Sequence, residues 1–347
     1  MDLSTWLQFR IVSVRTETEV AKTFELEEVN GKTLPFLPGQ FLTFIIRTEK
    51  QELRRSYSIV SLPGEPLRIT VKKVVNGLIS RYILQHWHTG NVVTALPPAG
   101  RFTVSPQRAV SRDIFCFAAG SGIIPILPQL RFLLPEEPQS NFRLVYSNHN
   151  EADALFLQEI GLLEETYPHF TVDYLFSDPA HRHHEQGHLS NLSAEALVNR
   201  ELKYRREDAV FLICGPFSYM RMLIFTLGLM HFPKENIRKE NYLPEVMRSG
   251  TAQEPVYPDR KVLVGIRDEV REIDVPSGET ILRAALKQGL QPPYSCEGGV
   301  CGLCAARCVR GKVHMSINEV LTGQELSEGW VLTCTGFPAE DGTYIIY

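Results

Sequence analysis

The chain has 347 residues, 44% of them hydrophobic and 22% charged, a balance typical of folded globular proteins and not of disordered, collagenous or coiled-coil chains. This length exceeds one ordinary hydrophobic core, so two or three domains are expected. With 36 basic and 40 acidic residues the formal charge is −4, which provides no overall basic field for a nucleic-acid partner.

The N-terminal sequence and the longest apolar stretches carry no targeting or membrane signal. The first residues lack both a basic and an apolar region, and glycines, prolines or an arginine interrupt the stretches 114–130 and 209–232. We therefore expect a soluble, cytoplasmic protein with no membrane partner and no nucleic-acid partner. Its seven cysteines then favour metal or redox ligation over a disulfide framework.

Residues 1–108 are predicted to form a small antiparallel barrel. Short β-rich runs at 41–46, 57–60 and 67–71 are separated by turn signals, and one helix is expected at 79–87. Residues 109–242 alternate predicted strands with predicted helices, which indicates a parallel α/β domain. The strands are expected at 114–118, 142–146, 171–175 and 210–214, and the helices at 126–134, 154–165 and 219–230.

The rest of the chain is predicted to be a linker and a third domain. Residues 243–260 contain three prolines and little periodicity, which is typical of a tether. From 261 to 347, strands at 262–266 and 272–275 and a helix at 280–288 precede a cluster of cysteines. Residues 243–347 hold the whole acidic excess, with 10 basic and 14 acidic residues.

Four late cysteines are the strongest chemical signal in the chain. Two are separated by four residues, the next follows after two more, and the last follows after 29. This spacing is the plant-type arrangement for a [2Fe–2S] cluster, and a tetrahedral zinc site is the alternative. Gly299 and Gly302 would let the loop curl so that backbone amides point at the cluster sulfurs. The predicted ligands are Cys296, Cys301, Cys304 and Cys334.

Two further cysteines, Cys308 and Cys116, are not expected to bind metal. Cys308 is predicted to be a buried thiol on the strand that follows the cluster loop, and Cys116 a core residue. The histidines at 181, 183, 184 and 188 resemble a metal tract, but they lack helical ligand spacing, so a solvated loop is expected there.

The barrel segment carries an RSYS string at 55–58, preceded by PGQF at 38–41 and followed by GLIS at 77–80. Together these strings resemble the flavin-binding domain of the ferredoxin-NADP reductase superfamily. The resemblance implies a phosphate on Arg55, an isoalloxazine ring on Tyr57, the flavin N5 near Ser58, and a pyrophosphate at the helix start. In an isolated match Tyr57 would be only a strand aromatic and Arg55 a solvated charge. The predicted flavin-binding residues are Arg55, Ser56, Tyr57, Ser58, Lys72, Gly77, Ile79 and Ser80.

A glycine-rich turn between an apolar strand and a helix indicates a dinucleotide site. The turn contains Gly120, Ser121 and Gly122, and glycines there permit close approach of a phosphate. Its GSGxxP pattern, with Ile124 where the superfamily usually has Thr, and the CGPxxxM string at 214–220 resemble the nicotinamide turns of that superfamily. We therefore predict that Gly215 and Pro216 also bind the nucleotide, although they could be only a strand-to-helix turn.

The preference between NADH and NADPH is predicted from the residues after the second and third strands of this domain. Members of the family often place arginines there to hold the 2′-phosphate of NADPH. This chain has Asn148-His149 and Gly187-His188 near those places, and histidine is mostly neutral at pH 7. These residues favour NADH.

The order of flavin, nucleotide and ferredoxin domains resembles the oxygenase reductases of the phenylacetyl-CoA epoxidase type. The resemblance implies a flavin barrel, a Rossmann-like α/β domain and a β-grasp [2Fe–2S] ferredoxin domain. NAD(P)H gives two electrons as hydride whereas the cluster accepts one, so the flavin divides them for a terminal oxygenase or another one-electron acceptor protein. Ser58, Cys214 and Glu240 are predicted to line the hydride site, and the acidic C-terminal region to steer a basic acceptor.

Three points stay open at this level. Phthalate-dioxygenase-type reductases use FMN with the same domain order, although residues 317–338 are closer to the epoxidase type and so favour FAD. The chain could also be a stand-alone diaphorase that reduces small acceptors. A third possibility is an iron–sulfur carrier or sensor whose upstream domains bind no cofactor.

Overall fold

The structure is a computed structural model that describes residues 6–47, 52–74, 77–179, 185–241, 257–267 and 269–347. Contacts divide the chain into two compact units. The larger is built from Leu7–Leu53 and Tyr57–Asn241, and the smaller contains the C-terminal domain. Among the described residues, no helix combines the length and the apolar composition that crossing a bilayer requires.

The first sheet has six strands in the order β4-β3-β6-β1-β2-β5. The bridge between Ile59 and Ile69 joins the ends of β4 and β5 and so closes the sheet into the predicted barrel. Alternate residues of each strand fill its interior, where Phe9, Phe24 and Phe44 are fully buried. The elements are β1 (Leu7–Thr18), β2 (Ala21–Glu28), β3 (Phe41–Arg47), β4 (Glu52–Ser58), β5 (Leu67–Lys72), α1 (Leu78–His86) and β6 (Val92–Ala95).

The second sheet has the order β10-β9-β8-β7-β11-β12, and every pair in it is parallel. Its strands are apolar on both faces because helices cover both sides, and the two faces form two separate core clusters. The elements are β7 (Asp113–Ala119), α2 (Ile123–Glu136), β8 (Asn141–Asn148), α3 (Leu157–Thr166), β9 (Phe170–Phe176), β10 (Glu185–Gln186), α4 (Asn191–Glu201), β11 (Val210–Cys214), α5 (Phe217–Leu229) and β12 (Ile237–Glu240).

Three helices of this sheet differ clearly from the prediction. Helix α2 begins three residues earlier than expected, at Ile123. Helix α3 begins three residues later than expected, because Phe156 adopts a left-handed backbone with φ of 61° just before it. Helix α4 was not predicted, because its composition is largely polar. Its start is stabilised by a reciprocal cap in which Ser190 and Ser193 each bind the other's backbone amide.

The segment that joins the barrel to the parallel sheet is held by a buried ion pair. Arg112 lies just before β7 and pairs with Glu137 at the end of α2, and the Glu137 side chain is fully buried. The Arg112 guanidinium also donates to the carbonyl of Ser105 at 3.1 Å, and Glu137 accepts from the amide of Gln107 at 2.9 Å and from Ser140 Oγ at 2.8 Å. Hydrogen bonds to neighbouring groups thus support both partners, which a buried pair needs in order to be stable.

The C-terminal domain has a mixed sheet of five strands in the order β14-β13-β19-β15-β17, with α6 packed against it. The pair β13–β19 is parallel and its neighbours are antiparallel, which is the predicted β-grasp arrangement. The elements are β13 (Arg260–Ile266), β14 (Glu269–Val275), α6 (Ile281–Lys287), β15 (Ala305–Arg310), β16 (Val313–Met315), α7 (Gly323–Ser327), β17 (Trp330–Leu332), β18 (Gly336–Pro338) and β19 (Thr343–Ile346).

The predicted fold class, a barrel followed by a parallel α/β sheet and a β-grasp domain, is thus confirmed. Most of the predicted linker at 243–260 lies outside the described residues, as do the histidines at 181, 183 and 184. Within the described part of that linker, β13 already begins at Arg260.

Candidate functional site

The four predicted cysteine ligands lie together at one end of the C-terminal domain. Cys296 and Cys301 are on the loop between α6 and β15, Cys304 directly precedes β15, and Cys334 follows β17. Cys304 and Cys334 are buried, with 2% and 6% of their surface exposed, whereas the other two are half-buried. One pair of thiols thus faces the core and the other lies nearer to solvent.

The thiols are within hydrogen-bonding reach of one another, which changes their acidity. The thiols of Cys301 and Cys334 donate to Cys296 and lower its pKa to about 2, against the opposing effect of burial. The same contacts with Cys296, together with burial, raise the pKa values of Cys301 and Cys334. Four sulfurs placed this close together fit a group that binds all four as thiolates.

The loop geometry fits a two-iron cluster. Gly299 has φ of 74°, and an added Cβ would lie 2.8 Å from the carbonyl oxygen of Ile317, so no other residue fits there without rearrangement. The amide of Gly298 donates to Cys296 Sγ at 3.4 Å. Among the described residues, no three His, Cys, Asp or Glu side chains converge on a single ion. A [2Fe–2S] cluster needs no such convergence, since its four cysteines are divided between two irons.

Cys308 lies on β15 as predicted, but its side chain is half-buried and not fully buried. Its Sγ donates to the carbonyl of Arg310 at 3.4 Å, and burial raises the pKa of its thiol. Cys116 is fully buried in the core, as predicted.

The predicted flavin strand is β4, which runs along the edge of the barrel. Tyr57 packs against Phe44, with ring centroids 6.2 Å apart, so one part of the phenol ring contacts the barrel core. Ser58 ends the strand and is 3% exposed. Arg55 donates to the neighbouring carbonyl of Arg54 at 2.8 Å. The roles of these residues toward a flavin stay predictions.

The start of α1 is the place where the pyrophosphate is predicted to bind. Gly77 precedes the helix and no side chain caps it, so the first backbone amides are open to an anion. Ser80 Oγ accepts from the amide of Val74 at 3.1 Å and keeps its own proton for donation. Ile79 is buried, so only its backbone amide can take part. These features fit the phosphates of FAD.

Lys72, another predicted flavin-binding residue, contacts the parallel-sheet domain. It ends β5, and its Nζ donates to the carbonyl of Asp153 on the loop that follows β8, at 3.3 Å. Burial lowers the pKa of its ammonium group. Lys72 therefore links the barrel to the parallel sheet.

The predicted nucleotide turns lie at the switch point of the parallel sheet, where the strand order reverses between β7 and β11. Gly120–Gly122 form a single 3₁₀ turn after β7, and α2 follows with no side-chain cap. A Cβ on Gly122 would lie 2.0 Å from the carbonyl oxygen of Cys214, and one on Gly215 would lie 2.8 Å from Ala119 Cβ. The two turns can meet only because both positions are glycine, and dinucleotides bind at such crevices.

Polar atoms next to this crevice are left without good partners. The hydroxyls of Ser147 and Tyr219 and the side-chain nitrogen of Asn148 are buried, and none makes a hydrogen bond of ordinary geometry within the described part of the chain. Burial of such groups is costly unless a polar ligand satisfies them. No sequence motif singles out Ser147 or Tyr219, and only the buried hydroxyls reveal them.

The three residues predicted for the hydride site are brought together by two different parts of the larger unit. Ser58 Oγ donates to Glu240 Oε2 at 3.3 Å, which joins the end of β4 in the barrel to the end of β12 in the parallel sheet. Cys214 is opposite Glu240 in the β11–β12 register and is fully buried. The flavin strand and the nicotinamide turn therefore meet at one place.

Three family profiles match separate parts of the chain. They describe an oxidoreductase FAD-binding domain at residues 9–104, an oxidoreductase NAD-binding domain at 117–224 and a 2Fe-2S iron-sulfur cluster binding domain at 264–339. The ranges coincide with the barrel, the parallel sheet and the cysteine-bearing domain.

Curated relatives span the whole chain. One subunit of the 1,2-phenylacetyl-CoA epoxidase from Escherichia coli K12 is 34% identical over 97% of this chain and 96% of its own length. The ferredoxin reductase component of a 3-ketosteroid-9-alpha-monooxygenase from Rhodococcus rhodochrous is 29% identical over 88% of this chain and 86% of its own.

A solved structure shares the order of the three domains. Phthalate dioxygenase reductase superposes over 99% of this chain and 98% of its own, with a TM-score of 0.60 and 22% identity, and this likeness concerns the fold. The chain binds FAD, NAD(P)H and a [2Fe–2S] cluster and is an NAD(P)H oxidoreductase that passes electrons to an acceptor. It belongs to the oxygenase reductases of the ferredoxin-NADP reductase superfamily.

Proposed function

We propose that this chain is the NADH-dependent reductase component of a terminal oxygenase. The observation that carries the proposal is the hydrogen bond between Ser58 and Glu240, which joins the flavin strand to the nicotinamide edge of the parallel sheet. When the cofactors are bound, NADH supplies two electrons as hydride, FAD passes them on singly, and the cluster delivers them in two one-electron transfers.

The residues of the chain bind and align these groups without acting as general acids or bases. Ser58, which is buried, donates a hydrogen bond from the flavin side, and Glu240 holds that hydroxyl in place. Cys214 presents its backbone carbonyl against Gly122, so the nucleotide turn keeps one geometry. Alignment of this kind shortens the distance that the hydride must cross and excludes water from the site.

The preference for NADH is proposed from charges at the carboxyl ends of β8 and β9. His149 follows β8, and its Nδ1 is 3.0 Å from Ser177 Oγ. Asp178 follows β9, its amide donates to the carbonyl of His149 at 2.8 Å, and its side chain is 78% exposed. A carboxylate at this edge accepts hydrogen bonds from the ribose hydroxyls of NADH and repels the 2′-phosphate of NADPH.

The partner is proposed from two relatives. The Escherichia coli relative is a subunit of an epoxidase and the Rhodococcus rhodochrous relative is the reductase component of a monooxygenase. We propose an oxygenase as the acceptor, reached from the cluster end of the C-terminal domain. The acidic excess of residues 243–347 would steer a basic acceptor surface, and the rate of its reduction would then fall as ionic strength rises.

The proposal is tested on the purified holoprotein. Flavin is extracted and identified, iron is counted, and the absorbance is followed during anaerobic titration with NADH and with NADPH. We expect FAD, a [2Fe–2S] spectrum and reduction by NADH at lower concentrations than by NADPH. Electron transfer is then measured to purified candidate oxygenases.

Three results would contradict the proposal in different ways. A cluster without flavin and without NADH oxidation would indicate an iron–sulfur carrier or sensor. Turnover with small acceptors but with no oxygenase would indicate a stand-alone diaphorase. A sharp preference for NADPH would overturn the assignment of the nucleotide alone.

A further inference from the structure

The last residue of the chain lies behind the buried cysteine pair. The backbone amide of Tyr347 donates to the carbonyl of Gly265 at 3.0 Å, which extends the β19–β13 pairing to the chain end. The Tyr347 ring packs against the core of the C-terminal domain. Its hydroxyl donates to Thr333 Oγ1 at 2.6 Å, a short bond between two side chains of which Thr333 is fully buried.

The direction of this hydrogen-bond chain follows from chemistry. Thr333 Oγ1 lies 3.0 Å from the carbonyl oxygen of Cys304, and a carbonyl can only accept, so Thr333 donates to it. Its single proton is then used, and the hydroxyl of Tyr347 must be the donor in the other bond. The positive ends of both O–H dipoles therefore point from Tyr347 through Thr333 toward Cys304. Each bond polarises and strengthens the next.

Thr333 also ties together the two buried cysteines. Its amide donates to the same carbonyl of Cys304 at 3.3 Å, its own carbonyl accepts from the amide of Leu282 on α6 at 3.0 Å, and Cys334 is its direct neighbour. Leu282 packs in one cluster with Cys304 and Cys334. The backbone on both sides of the buried pair is thus fixed through one threonine, and Tyr347 holds that threonine's hydroxyl.

We propose that Tyr347 is a positioning residue for the [2Fe–2S] cluster, acting through Thr333 on the buried pair Cys304 and Cys334. The inference rests on the reductase function but concerns a residue that neither the cysteine spacing nor the fold family assigns. Removing the hydroxyl takes away a dipole whose positive end points at Thr333 Oγ1 and, through the Thr333 hydroxyl, toward the backbone carbonyl of the ligand Cys304. The extra negative charge of the reduced cluster is then less well stabilised, so the midpoint potential becomes more negative.

The test compares Tyr347→Phe with Tyr344→Phe in the full-length holoprotein. Tyr344 lies on the same strand, but side chains alternate along a strand, so Tyr344 and Tyr347 point to opposite faces of the sheet. We expect Tyr347→Phe to bind normal amounts of iron and FAD. Its cluster potential should shift to more negative values, its electron paramagnetic resonance signal should change, and its cluster should be lost about fivefold faster in denaturant, the effect of one hydrogen bond.

A second variant separates positioning from general packing. Thr333→Val keeps the shape of the side chain and removes the hydroxyl that relays the bond, so it should shift the potential in the same direction. The shift of the cluster potential in the double variant should be no larger than the larger of the two single shifts, because both substitutions act on one chain of hydrogen bonds. An unchanged potential and resonance signal in Tyr347→Phe, or the same changes in Tyr344→Phe, would overturn the proposal. NADH-dependent flavin reduction should stay normal throughout, and its loss would instead question the proposed function.

Discussion

The four predicted cluster ligands lie within one domain, whereas the proposed hydride site draws Ser58 from a barrel strand and Cys214 and Glu240 from two strands of the parallel sheet. The predicted cluster ligands lie on the loop before β15 and directly after β17. The proposed hydride site forms only when the barrel packs against the parallel sheet. Substitutions of the cluster ligands should therefore leave the larger unit intact. The geometry of the proposed hydride site should instead depend on how the barrel and the parallel sheet pack, including at positions far from that site.

The sharpest test of that independence is Cys301→Ser. A serine hydroxyl replaces one thiolate ligand poorly, so we expect loss of the cluster spectrum and of electron delivery to an acceptor protein. Reduction of ferricyanide by NADH should continue, because the larger unit is unchanged. Cys308→Ser is the matched control, since that thiol donates to the backbone carbonyls of Arg310 and Gly311 and is not a predicted cluster ligand. Loss of flavin reduction in Cys301→Ser would show that the two sites are coupled.

The next largest effect is expected from Gly122→Ala. The added Cβ would overlap the Cys214 carbonyl at 2.0 Å, so β7 and β11 must move apart and the hydride site must lose its geometry. We expect the free energy of unfolding to fall by ~3 kcal/mol, at the upper end for overpacking. Gly161→Ala on α3 has open space around it and should stabilise the chain by up to about 1 kcal/mol. Urea unfolding measures both variants, and equal stabilities would contradict the prediction.

Ser58→Ala and Glu240→Gln test the contact between the barrel and the sheet directly. Each weakens the hydrogen bond at 3.3 Å, and we expect flavin reduction by NADH to slow by about 10- to 100-fold, as misalignment of reacting groups does. Rapid-mixing absorbance at the flavin band measures the rate. The exposed Glu235, just before β12, gives the control Glu235→Gln. If both test variants reduced the flavin at the wild-type rate, the proposed roles of Ser58 and Glu240 would be contradicted.

Asp178→Asn addresses nucleotide choice at the edge of the same sheet. Loss of the exposed carboxylate should raise kcat/KM for NADPH by about tenfold, because one repulsive charge near the 2′-phosphate is removed. The value for NADH should change less. Steady-state rates with both nucleotides give the ratio, and Glu165→Gln on α3 controls for the change in net charge. A ratio that does not move would show that the 2′-phosphate lies elsewhere.

The smallest effect is expected from Glu65→Gln, at a contact that holds the barrel against the parallel sheet. Burial alone would raise the pKa of Glu65, but the guanidinium of Arg131 at 2.5 Å and the amide of Leu62 lower it below its usual value. A lowered pKa stabilises the fold above the ordinary pKa, and this stability is lost as the pH falls through the folded value.

We therefore expect Glu65→Gln to cost ~1 kcal/mol or less at neutral pH and less at an acidic pH below the ordinary pKa of glutamate. Urea unfolding at both pH values measures the difference. Glu17→Gln serves as the control, since this residue pairs with Arg15 on its own strand, β1. If the loss of unfolding free energy in Glu65→Gln grew as the pH fell, the result would contradict a stabilising role for the ionised Glu65 carboxylate.

That the four predicted cluster ligands lie together was predictable because it depends on spacing within one stretch of chain. The barrel, the parallel sheet and the β-grasp domain were predictable for a similar reason, since turn signals and strand–helix alternation are local patterns. The partnership of Ser58 with Glu240 was not, because no periodicity connects two residues so far apart. Tyr347 carries no signal at all until the fold places its hydroxyl on Thr333.

The buried pair Arg112–Glu137 has a practical consequence for recombining these modules. It clamps the connecting segment to the end of α2, and either partner alone would leave an uncompensated ion in the interior. A chimaera that exchanges part of the nucleotide module at a junction between residues 112 and 137 separates the partners and should misfold. Junctions placed outside that span keep the clamp whole and allow the donor module to be transplanted intact.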